Sequence, residues 1–226
     1  MSHVDLLIQI PLFSSLKLDD RLKLAGMMRP LILKKGHVLF RKNDEGNALY
    51  IIIRGRIKVA YPSKLGDEVT LAIFNDGDFF GEMALLDGLP RSADAIAMEE
   101  TQLYILSRND FLSFMEHSAD AMRAVLYALS LRLRKTDELL GETCFLSVSV
   151  RLAKRLVELA EKQKGHDHPD AAVRLKMTQT ELASLLGVSR ESINKELKIL
   201  RQKNVLTTSR NTINIYNIEL LRRRMK

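Results

Sequence analysis

Residues 49–78 of this 226-residue chain read LYIIIRGRIKVAYPSKLGDEVTLAIFNDGD. Apolar or alternating runs rich in Ile, Val and Tyr are separated there by short turn sequences that contain Gly55, Gly66 and Gly77. Glycine supplies a positive φ in such turns, and neighbouring Asn and Asp side chains can bond to the backbone. Repeated short strands of this kind predict an all-β barrel or jelly roll.

The same pattern extends to both sides of this stretch. Further strand-like runs lie at residues 38–40, 93–98 and 102–106, and a turn sequence lies at 44–47. A helical segment at 19–28 precedes them, and we expect it to pack on the flank of the barrel. The pattern therefore predicts one β domain that fills most of the first half of the chain.

A long helix is predicted next, from about residue 110 to 143, because the turn signals vanish and the apolar period becomes helical. Its seam positions recur in steps of 4, 3, 4, 3 and 4 at Met122, Leu126, Leu129, Leu133, Thr136 and Leu140. That spacing indicates a two-stranded coiled coil and hence a homodimer, with an amphipathic helix packed on its own domain as the alternative. Thr136 weakens an apolar seam unless a polar group meets its hydroxyl there.

A helix-turn-helix is predicted in the last third of the chain. Thr178 and Glu181 have the spacing of a capping box, which starts a helix. Gly187 then permits a tight turn, and Ser189 can cap a second helix. Small Ala183 lets the two helices approach each other closely. An unrelated helical hairpin is the alternative.

The start of the second helix carries the residues expected to face base edges in DNA. Arg190 can donate two parallel hydrogen bonds to guanine and Glu191 can accept one from cytosine, although the two could instead form a surface ion pair. Arg210 lies between short strands at 205–208 and 212–216, where the wing of a winged helix would contact a phosphate. The predicted DNA-contacting residues are Thr178, Gln179, Ser189, Arg190, Glu191, Ser192, Asn194, Lys195 and Arg210.

Charge is distributed unevenly along the chain. There are 35 Lys and Arg against 28 Asp and Glu, a formal charge of +7, of which residues 1–150 carry −2 and residues 151–226 carry +9. A basic last third fits nucleic-acid binding. The single Cys144 excludes an internal disulfide and a four-cysteine iron–sulfur cluster, and no apolar run reaches about 18 residues. We therefore expect a cytoplasmic protein that uses neither a membrane nor a metal.

Residues 79–93, which read FFGEMALLDGLPRSA, form the candidate small-molecule site. Gly81 lets the backbone approach a ligand closely, and the amides after it can bind an anion. Glu82 can accept a hydrogen bond from a sugar hydroxyl, Arg91 can pair with a phosphate through two hydrogen bonds, and Ser92 can donate another. An internal Glu82–Arg91 salt bridge is the alternative.

Together these motifs resemble those of the cyclic-AMP receptor protein (catabolite activator) and fumarate-nitrate regulator family of bacterial transcription regulators. The resemblance rests on the three turn glycines, on residues 80–93, on the hinge at 144–146 and on the recognition helix at 189–192. It implies a homodimer on a palindromic site in double-stranded DNA. The implied fold is α+β, with a cyclic-nucleotide-binding β jelly roll at 1–109, a dimerisation helix at 110–145 and a winged helix-turn-helix at 146–226.

The resemblance also implies the contacts of the effector. The residues that would bind its ribose and cyclic phosphate are Gly81, Glu82, Met83, Ala84, Arg91 and Ser92. Thr136 matches the threonine that meets the adenine, whereas Asp137 stands where cAMP-responsive members have a serine contributed across the dimer. Lys195 replaces an arginine of the recognition helix. The expected effector is therefore cAMP or another cyclic nucleotide, with the base left open by Asp137.

Other functions stay open at this point. A member of the same family could respond to cyclic GMP, a cyclic dinucleotide, a redox signal or another signal, or could bind DNA without a ligand. An enzyme with Glu82 as general base lacks a nucleophile–base pair. The loop at 164–172 resembles the loop with which activators of the family contact RNA polymerase, which favours transcription activation.

Overall fold

A computed structural model describes Leu7, Ile10, Phe13 and residues 17–63, 66–164 and 173–225. The chain divides into two compact units, the first within residues 1–62 and 70–136 and the second within 63–69 and 137–226. The domain boundaries predicted at residues 109 and 145 stay predictions. Residues 165–172, most of the loop predicted to contact RNA polymerase, lie outside the described part of the chain.

Two four-stranded sheets form the body of the first unit. The elements as far as the long helix are α1 Leu18–Met27, β1 Arg29–Leu33, β2 Val38–Phe40, β3 Ala48–Arg54, β4 Ile57–Pro62, β5 Glu68–Phe74, β6 Phe79–Phe80, α2 Glu82–Asp87, β7 Asp94–Ala97, β8 Thr101–Ser107, α3 Arg108–His117 and α4 Ala119–Phe145. The strand orders are β1-β8-β3-β6 and β2-β7-β4-β5. The predicted α+β class with an N-terminal β domain is confirmed.

Strand β3 lies inside the first sheet and is buried on both of its faces. Leu49 and Ile51 join the core that the sheet forms with the helices, whereas Tyr50 and Ile52 join the core between the two sheets. A strand buried on both faces needs an uninterrupted apolar run rather than an alternating one. Because β6 pairs with β3 through Tyr50 and Phe80, the chain enters α2 directly from this core.

Two strands of the first sheet, β1 and β6, were not predicted from the sequence. Strand β1 contains Pro30, and a proline within an apolar run argues against a strand unless the strand lies at an edge. β1 is such an edge strand, with Pro30 opposite Tyr104 of β8. Strand β6 has only two residues, too few for a periodic signal.

The helix predicted from residue 110 to 143 is divided into α3 and α4. The break is at Ser118, whose φ of −133° and ψ of 98° are extended rather than helical. Its Oγ accepts a hydrogen bond from the N–H of Ala121 at 3.3 Å, so Ser118 caps the start of α4. The apolar period runs through this break, which is why the sequence pattern alone did not show it.

The second unit is a winged helix. Its elements after α4 are α5 Val148–Lys164, β9 Val173–Leu175, α6 Gln179–Leu186, α7 Arg190–Gln202, β10 Leu206–Thr208, β11 Ile213–Ile215 and α8 Ile218–Arg223. The three strands form one sheet in the order β10-β11-β9. Leu156, Leu182 and Leu197 of three successive helices share one buried core. Strand β9 was not predicted, because a three-residue strand gives little periodic signal and its partner, β11, lies far along the chain.

The described residues contain no helix that is both long and apolar enough to cross a membrane. Within the same residues, no group of three His, Cys, Asp or Glu side chains is placed to hold a metal ion.

Candidate effector cavity and nucleic-acid interface

A cavity of about 200 Å³ lies in the first unit, beside α2 and α4. Its lining residues are Phe40, Val59, Leu71, Ala72, Phe74, Phe80, Gly81, Glu82, Met83, Ala84, Arg91, Ser92, Ala93, Arg132, Lys135 and Thr136. Seven of the eight predicted effector contacts therefore meet around one space, although residues 81–92 and 136 are far apart in the chain. The eighth, Asp137, is exposed and does not line this cavity.

Arg91 is a buried cation with a fixed orientation, only 4% exposed. Its Nη1 donates to the carbonyl of Gly81 at 2.7 Å, and its Nη2 donates to the carbonyl of Ala48 at 2.8 Å. The guanidinium also lies over the ring of Phe40, with Cζ 4.3 Å from the ring centroid. Burial lowers the pKa of Arg91, and the Tyr50 hydroxyl partly offsets this. An arginine keeps its charge in such a site.

Glycine is needed at two places where the backbone lies close to Arg91 and to Ala84 of α2. Gly81 has a φ of +87°, and a Cβ there would lie 2.8 Å from Nη1 of Arg91. A Cβ on Gly46 would lie 2.2 Å from the Cβ of Ala84. Gly81 was predicted from its motif, whereas Gly46 was seen only as part of a turn, because its contact with Ala84 is set by the tertiary fold.

Glu82 pairs with Arg132 of α4. The Glu82 side chain is nearly fully buried, and its Oε1 lies 2.6 Å from Nη1 of Arg132. Arg132 also donates to the carbonyl of Phe79. The alternative of a Glu82–Arg91 salt bridge is therefore wrong: Arg91 donates to carbonyls, and Glu82 has a different partner.

The second carboxylate oxygen of Glu82, Oε2, is buried and has no hydrogen-bond partner among the described residues. A buried acceptor without a donor costs free energy, by about 1–3 kcal/mol. Because Glu82 lines the cavity, a ligand hydroxyl in that space could supply the missing donor.

Sequence reasoning missed two cationic residues of the cavity, Arg132 and Lys135. Arg132 lies four positions before Thr136, which was predicted, and positions four apart share one face of a helix. That spacing was an available signal for Arg132, whereas Lys135 is next to Thr136 in the chain and no such spacing indicated it. The signal for Arg132 was not used because Arg and Lys on a long helix usually face solvent.

The remaining predicted contacts lie at the more exposed side of the cavity. Met83 and Ser92 are both exposed, with Oγ of Ser92 3.9 Å from Sδ of Met83. Thr136 is exposed too, and its Oγ1 donates to the carbonyl of Arg132 at 3.0 Å. The Thr136 hydroxyl therefore keeps its lone pairs for another partner.

The predicted helix-turn-helix is confirmed in the second unit. Oγ1 of Thr178 accepts from the N–H of Glu181 at 3.1 Å, and Oε2 of Glu181 accepts from the N–H of Thr178 at 2.6 Å, a complete capping box. Gly187 has a φ of +60°, which allows the turn. Ser189 caps α7 by accepting from the N–H of Ser192 at 3.2 Å.

A groove of about 490 Å³ runs between the start of α6, helix α7 and the wing. It is lined by Thr178, Gln179, Thr180, Arg190, Arg201, Thr208, Ser209, Arg210 and Asn211. The structure thus brings Arg190 and Arg210, which are twenty positions apart, to one concave surface. Arg201 is a third arginine of this groove and was not predicted. Its Nη1 donates to Oγ1 of Thr208 in β10 at 3.2 Å.

The other predicted DNA contacts lie at or near the start of α7, outside the groove lining. Glu191 and Lys195 are exposed, whereas Ser192 and Asn194 are half-buried. A hydrogen bond from its own backbone N–H, and then one from the Ser189 hydroxyl, lower the pKa of Glu191. Glu191 is therefore an ionised acceptor at neutral pH. No ion pair within 4 Å joins Glu191 to Arg190, both of which the structure describes, although the nearby charge of Arg190 also lowers the pKa of Glu191. The base contacts of Arg190 and Glu191 stay a prediction.

Both halves of the chain match known domains. Residues 30–118 match the cyclic nucleotide-binding domain, and residues 150–224 match the Crp-like helix-turn-helix domain. The cyclic AMP receptor protein of Thermus thermophilus is 31% identical over 211 residues, which cover 93% of this chain and 94% of that protein. The chain belongs to the cyclic-AMP receptor protein (CRP) family of transcription regulators.

Other CRP-family proteins are similar over most of the chain. The cAMP-activated global transcriptional regulator of Salmonella typhimurium is 30% identical over 179 residues, which cover 79% of this chain and 85% of that protein. The structure of the c-di-GMP-responsive global regulator CLP of Xanthomonas campestris superposes with a TM-score of 0.80 at 25% identity, covering 89% of this chain and all of that one. The protein is thus a CRP-family regulator with a cyclic nucleotide-binding and a DNA-binding domain, and its relatives are regulators rather than enzymes.

Proposed function

We propose that this regulator is a homodimeric transcription activator whose binding to palindromic DNA is controlled by one cyclic mononucleotide per chain. The observation that carries this proposal is that one cavity is lined both by the fixed cation Arg91 and by Glu82, whose oxygen Oε2 has no hydrogen-bond partner among the described residues. A cyclic nucleotide offers both complements, a singly charged phosphate and a ribose hydroxyl. The resemblance to the family names cAMP as the expected effector, and cyclic GMP is the second candidate.

Each part of the proposed ligand has a matching part of the cavity. Arg91 and Ser92 bind the cyclic phosphate, because both are donors and Arg91 carries the charge. Glu82 accepts from the ribose hydroxyl, and the backbone at Gly81, Met83 and Ala84 closes around the same end. The base lies against the apolar lining of the barrel, with the Thr136 hydroxyl as a polar contact.

The size of the cavity favours a mononucleotide over a cyclic dinucleotide. Its volume of about 200 Å³ is below the range of roughly 300–1,000 Å³ that is usual for drug-sized ligands. A cyclic dinucleotide carries two bases, two riboses and two phosphates. Of the two arginines that line the cavity, Arg132 is already paired with Glu82, which leaves Arg91 for a phosphate. The c-di-GMP response of the Xanthomonas relative is therefore not transferred to this protein.

The proposed dimer uses the apolar seam of α4. Met122 is 39% exposed, Leu126 56%, Leu133 63% and Leu140 62% within one chain. Four large apolar side chains on one stripe of a helix are expected to be covered by a second copy of the same stripe. The seam and the cavity-lining residues Arg132 and Thr136 lie on the same helix, so effector binding can bias the way two copies pack.

Control then requires that the effector binds one dimer state more tightly than the other. In the DNA-binding state the two recognition helices would lie about 34 Å apart, one turn of DNA. Arg190 and Glu191 are proposed to contact base edges, and Arg201 and Arg210 phosphates. Activation through RNA polymerase is supported by the family resemblance alone.

The proposal can be tested by titrating the purified protein with cAMP, cyclic GMP and c-di-GMP in a calorimeter. Binding to a pool of random duplexes is then measured with and without each nucleotide. One cyclic mononucleotide should bind at one site per chain and increase retention of a subset of the duplexes. Binding of c-di-GMP alone, or retention that no nucleotide changes, would contradict the proposal.

Arg91→Lys is the matching variant, because lysine keeps the charge but cannot make the paired hydrogen bonds to a phosphate. Nucleotide affinity should fall by about tenfold or more. Arg56→Lys is the control, since Arg56 lies on the barrel surface in an ion pair with Glu99. This variant should bind nucleotide as the unmodified protein does. Equal affinities of the two variants would remove Arg91 from the site.

A further inference from the structure

The side of the cavity formed by α4 carries three polar residues, Arg132, Lys135 and Thr136. Arg132 is held by Glu82 and by the carbonyl of Phe79, and the Thr136 hydroxyl donates to the carbonyl of Arg132. The ammonium of Lys135 forms no hydrogen bond or ion pair with any residue that the structure describes. Lys135 is exposed, and it brings to the cavity lining a positive charge that has no ion-pair partner in the described part of the chain.

The ends of the cavity where the phosphate and ribose would bind are already supplied with polar groups. Arg91 and Ser92 lie at the first, and Glu82 with Arg132 at the second. Most of the remaining lining is apolar and includes Val59, Leu71 and Ala72. The base is the largely apolar part of a nucleotide, so we place it against these side chains, with the edge away from its sugar toward Lys135.

A lysine can distinguish the two purines, because its ammonium only donates hydrogen bonds. Guanine presents two adjacent acceptors, O6 and N7, on the edge away from its sugar, whereas adenine presents the N7 acceptor beside the N6 amino donor. A lysine can therefore satisfy both groups of guanine and meets a like donor on adenine. The Thr136 hydroxyl can accept from a donor on either base and does not discriminate between them.

We infer that Lys135 is a specificity-determining residue and that the preferred effector is the cyclic nucleotide of guanine, cyclic GMP. The inference rests on the proposed nucleotide cavity and adds the identity of the base. Lys135 donates to O6 and N7, and the selection comes from this edge rather than from the amino group at C2.

Calorimetric titration of the full-length protein with cyclic GMP, cyclic AMP and cyclic IMP tests the inference. Cyclic IMP keeps O6 and N7 but lacks the amino group at C2. Cyclic GMP and cyclic IMP should bind with similar affinity, and each about tenfold or more tightly than cyclic AMP. A preference for cyclic AMP, or equal binding of cyclic AMP and cyclic IMP, would overturn the inference.

Lys135→Met keeps much of the side-chain length and removes the charge. It should weaken cyclic GMP and cyclic IMP about tenfold and leave cyclic AMP nearly unchanged, so that the selectivity disappears. Arg134→Met is the matched control, because Arg134 precedes Lys135 on α4, is exposed and does not line the cavity. Selectivity that survives in Lys135→Met, or is lost equally in Arg134→Met, would also overturn it. Failure of all three nucleotides to bind would instead contradict the proposed function itself.

Discussion

Arg91 is at once a structural residue and a proposed ligand-binding residue. Its side chain ties the carbonyl of Gly81, before α2, to the carbonyl of Ala48, at the start of β3. These two bonds, together with the ring of Phe40, set the plane of the guanidinium within the protein. Because its orientation does not depend on a ligand, little conformational entropy is lost when a phosphate binds.

Arg91→Ala should therefore change both stability and binding. It removes the donors to the two carbonyls and leaves a buried acceptor unpaired, which we expect to lower the free energy of unfolding by about 1–3 kcal/mol. Cyclic nucleotide binding should be lost in the same variant. Urea unfolding of the ligand-free protein measures the first effect and calorimetry the second. Unchanged stability would show that the two carbonyls find other donors.

Arg190 and Arg201 both line the groove between α6, α7 and the wing but should act differently on DNA. Arg190 is the first residue of α7, where side chains reach base edges, and Arg190→Ala should cost about 1–3 kcal/mol on the preferred site. Arg201 lies in the last turn of α7 beside β10, and Arg201→Ala should weaken binding to preferred and random duplexes alike. Fluorescence anisotropy with both kinds of duplex separates the two. A site-selective loss in Arg201→Ala would assign base reading to that residue instead.

Helix α4 combines an apolar seam with charges on both of its flanks. If Leu133 is an a position of the heptad, Arg132 is at g and Asp137, five residues later, is at e. In a parallel two-stranded coiled coil these flanks meet, g of one helix against e of the other, and opposite charges there stabilise the pair. Arg132 already pairs with Glu82 of its own chain, so the partner's Asp137 would add to that ion pair rather than form a separate one. With that addition the order of charges along α4 is consistent with a parallel homodimer.

Asp137→Arg should weaken that dimer, because it would place two positive charges opposite each other at each g–e contact. The dissociation constant of the dimer should rise by about two- to tenfold, as expected for exposed charges. Glu138→Arg makes the same change in charge at the neighbouring f position, which faces away from the seam, and should have no effect. Sedimentation equilibrium at low salt measures both. Equal behaviour of the two variants would argue against the parallel pairing.

At the scale of the whole molecule the charge is separated between the two ends of the chain. Residues 1–150, which hold the candidate effector cavity, carry −2, whereas residues 151–226, which hold the helix-turn-helix, carry +9. A dimer would bring two basic domains to one duplex, and binding there displaces counterions from the DNA. The proposed effector contact is different, because Arg91 is buried and shielded from dissolved salt.

Salt should therefore affect the two ligands unequally. Raising the salt concentration from about 50 to about 200 mM should lower DNA affinity by about a thousandfold or more if six or more phosphates are contacted. Nucleotide affinity should fall by about threefold or less over the same range. Anisotropy with labelled DNA and calorimetry with nucleotide, in identical buffers, provide the comparison. A parallel decline of both affinities would place the nucleotide at an exposed site.

Much of the fold could be predicted from the sequence because its signals are local. The glycines at the barrel turns, the capping box at Thr178 and the cap at Ser189 act within a few residues, so their patterns are visible along the chain. The same holds for the apolar period of α4, which is visible over nearly three heptads. The clustering of residues 81–92 with Thr136 was predicted only through the family resemblance.

The sequence by itself determined the β domain, the long helix and the helix-turn-helix, since each depends on periodicity and on turn or cap residues close to one another. Only the tertiary structure decided that Glu82 pairs with Arg132, fifty residues away, rather than with Arg91. Only it showed that Gly46 must lack a Cβ beside Ala84 and that Lys135 reaches the cavity. Contacts of this kind depend on how distant elements pack, and no local pattern records that packing.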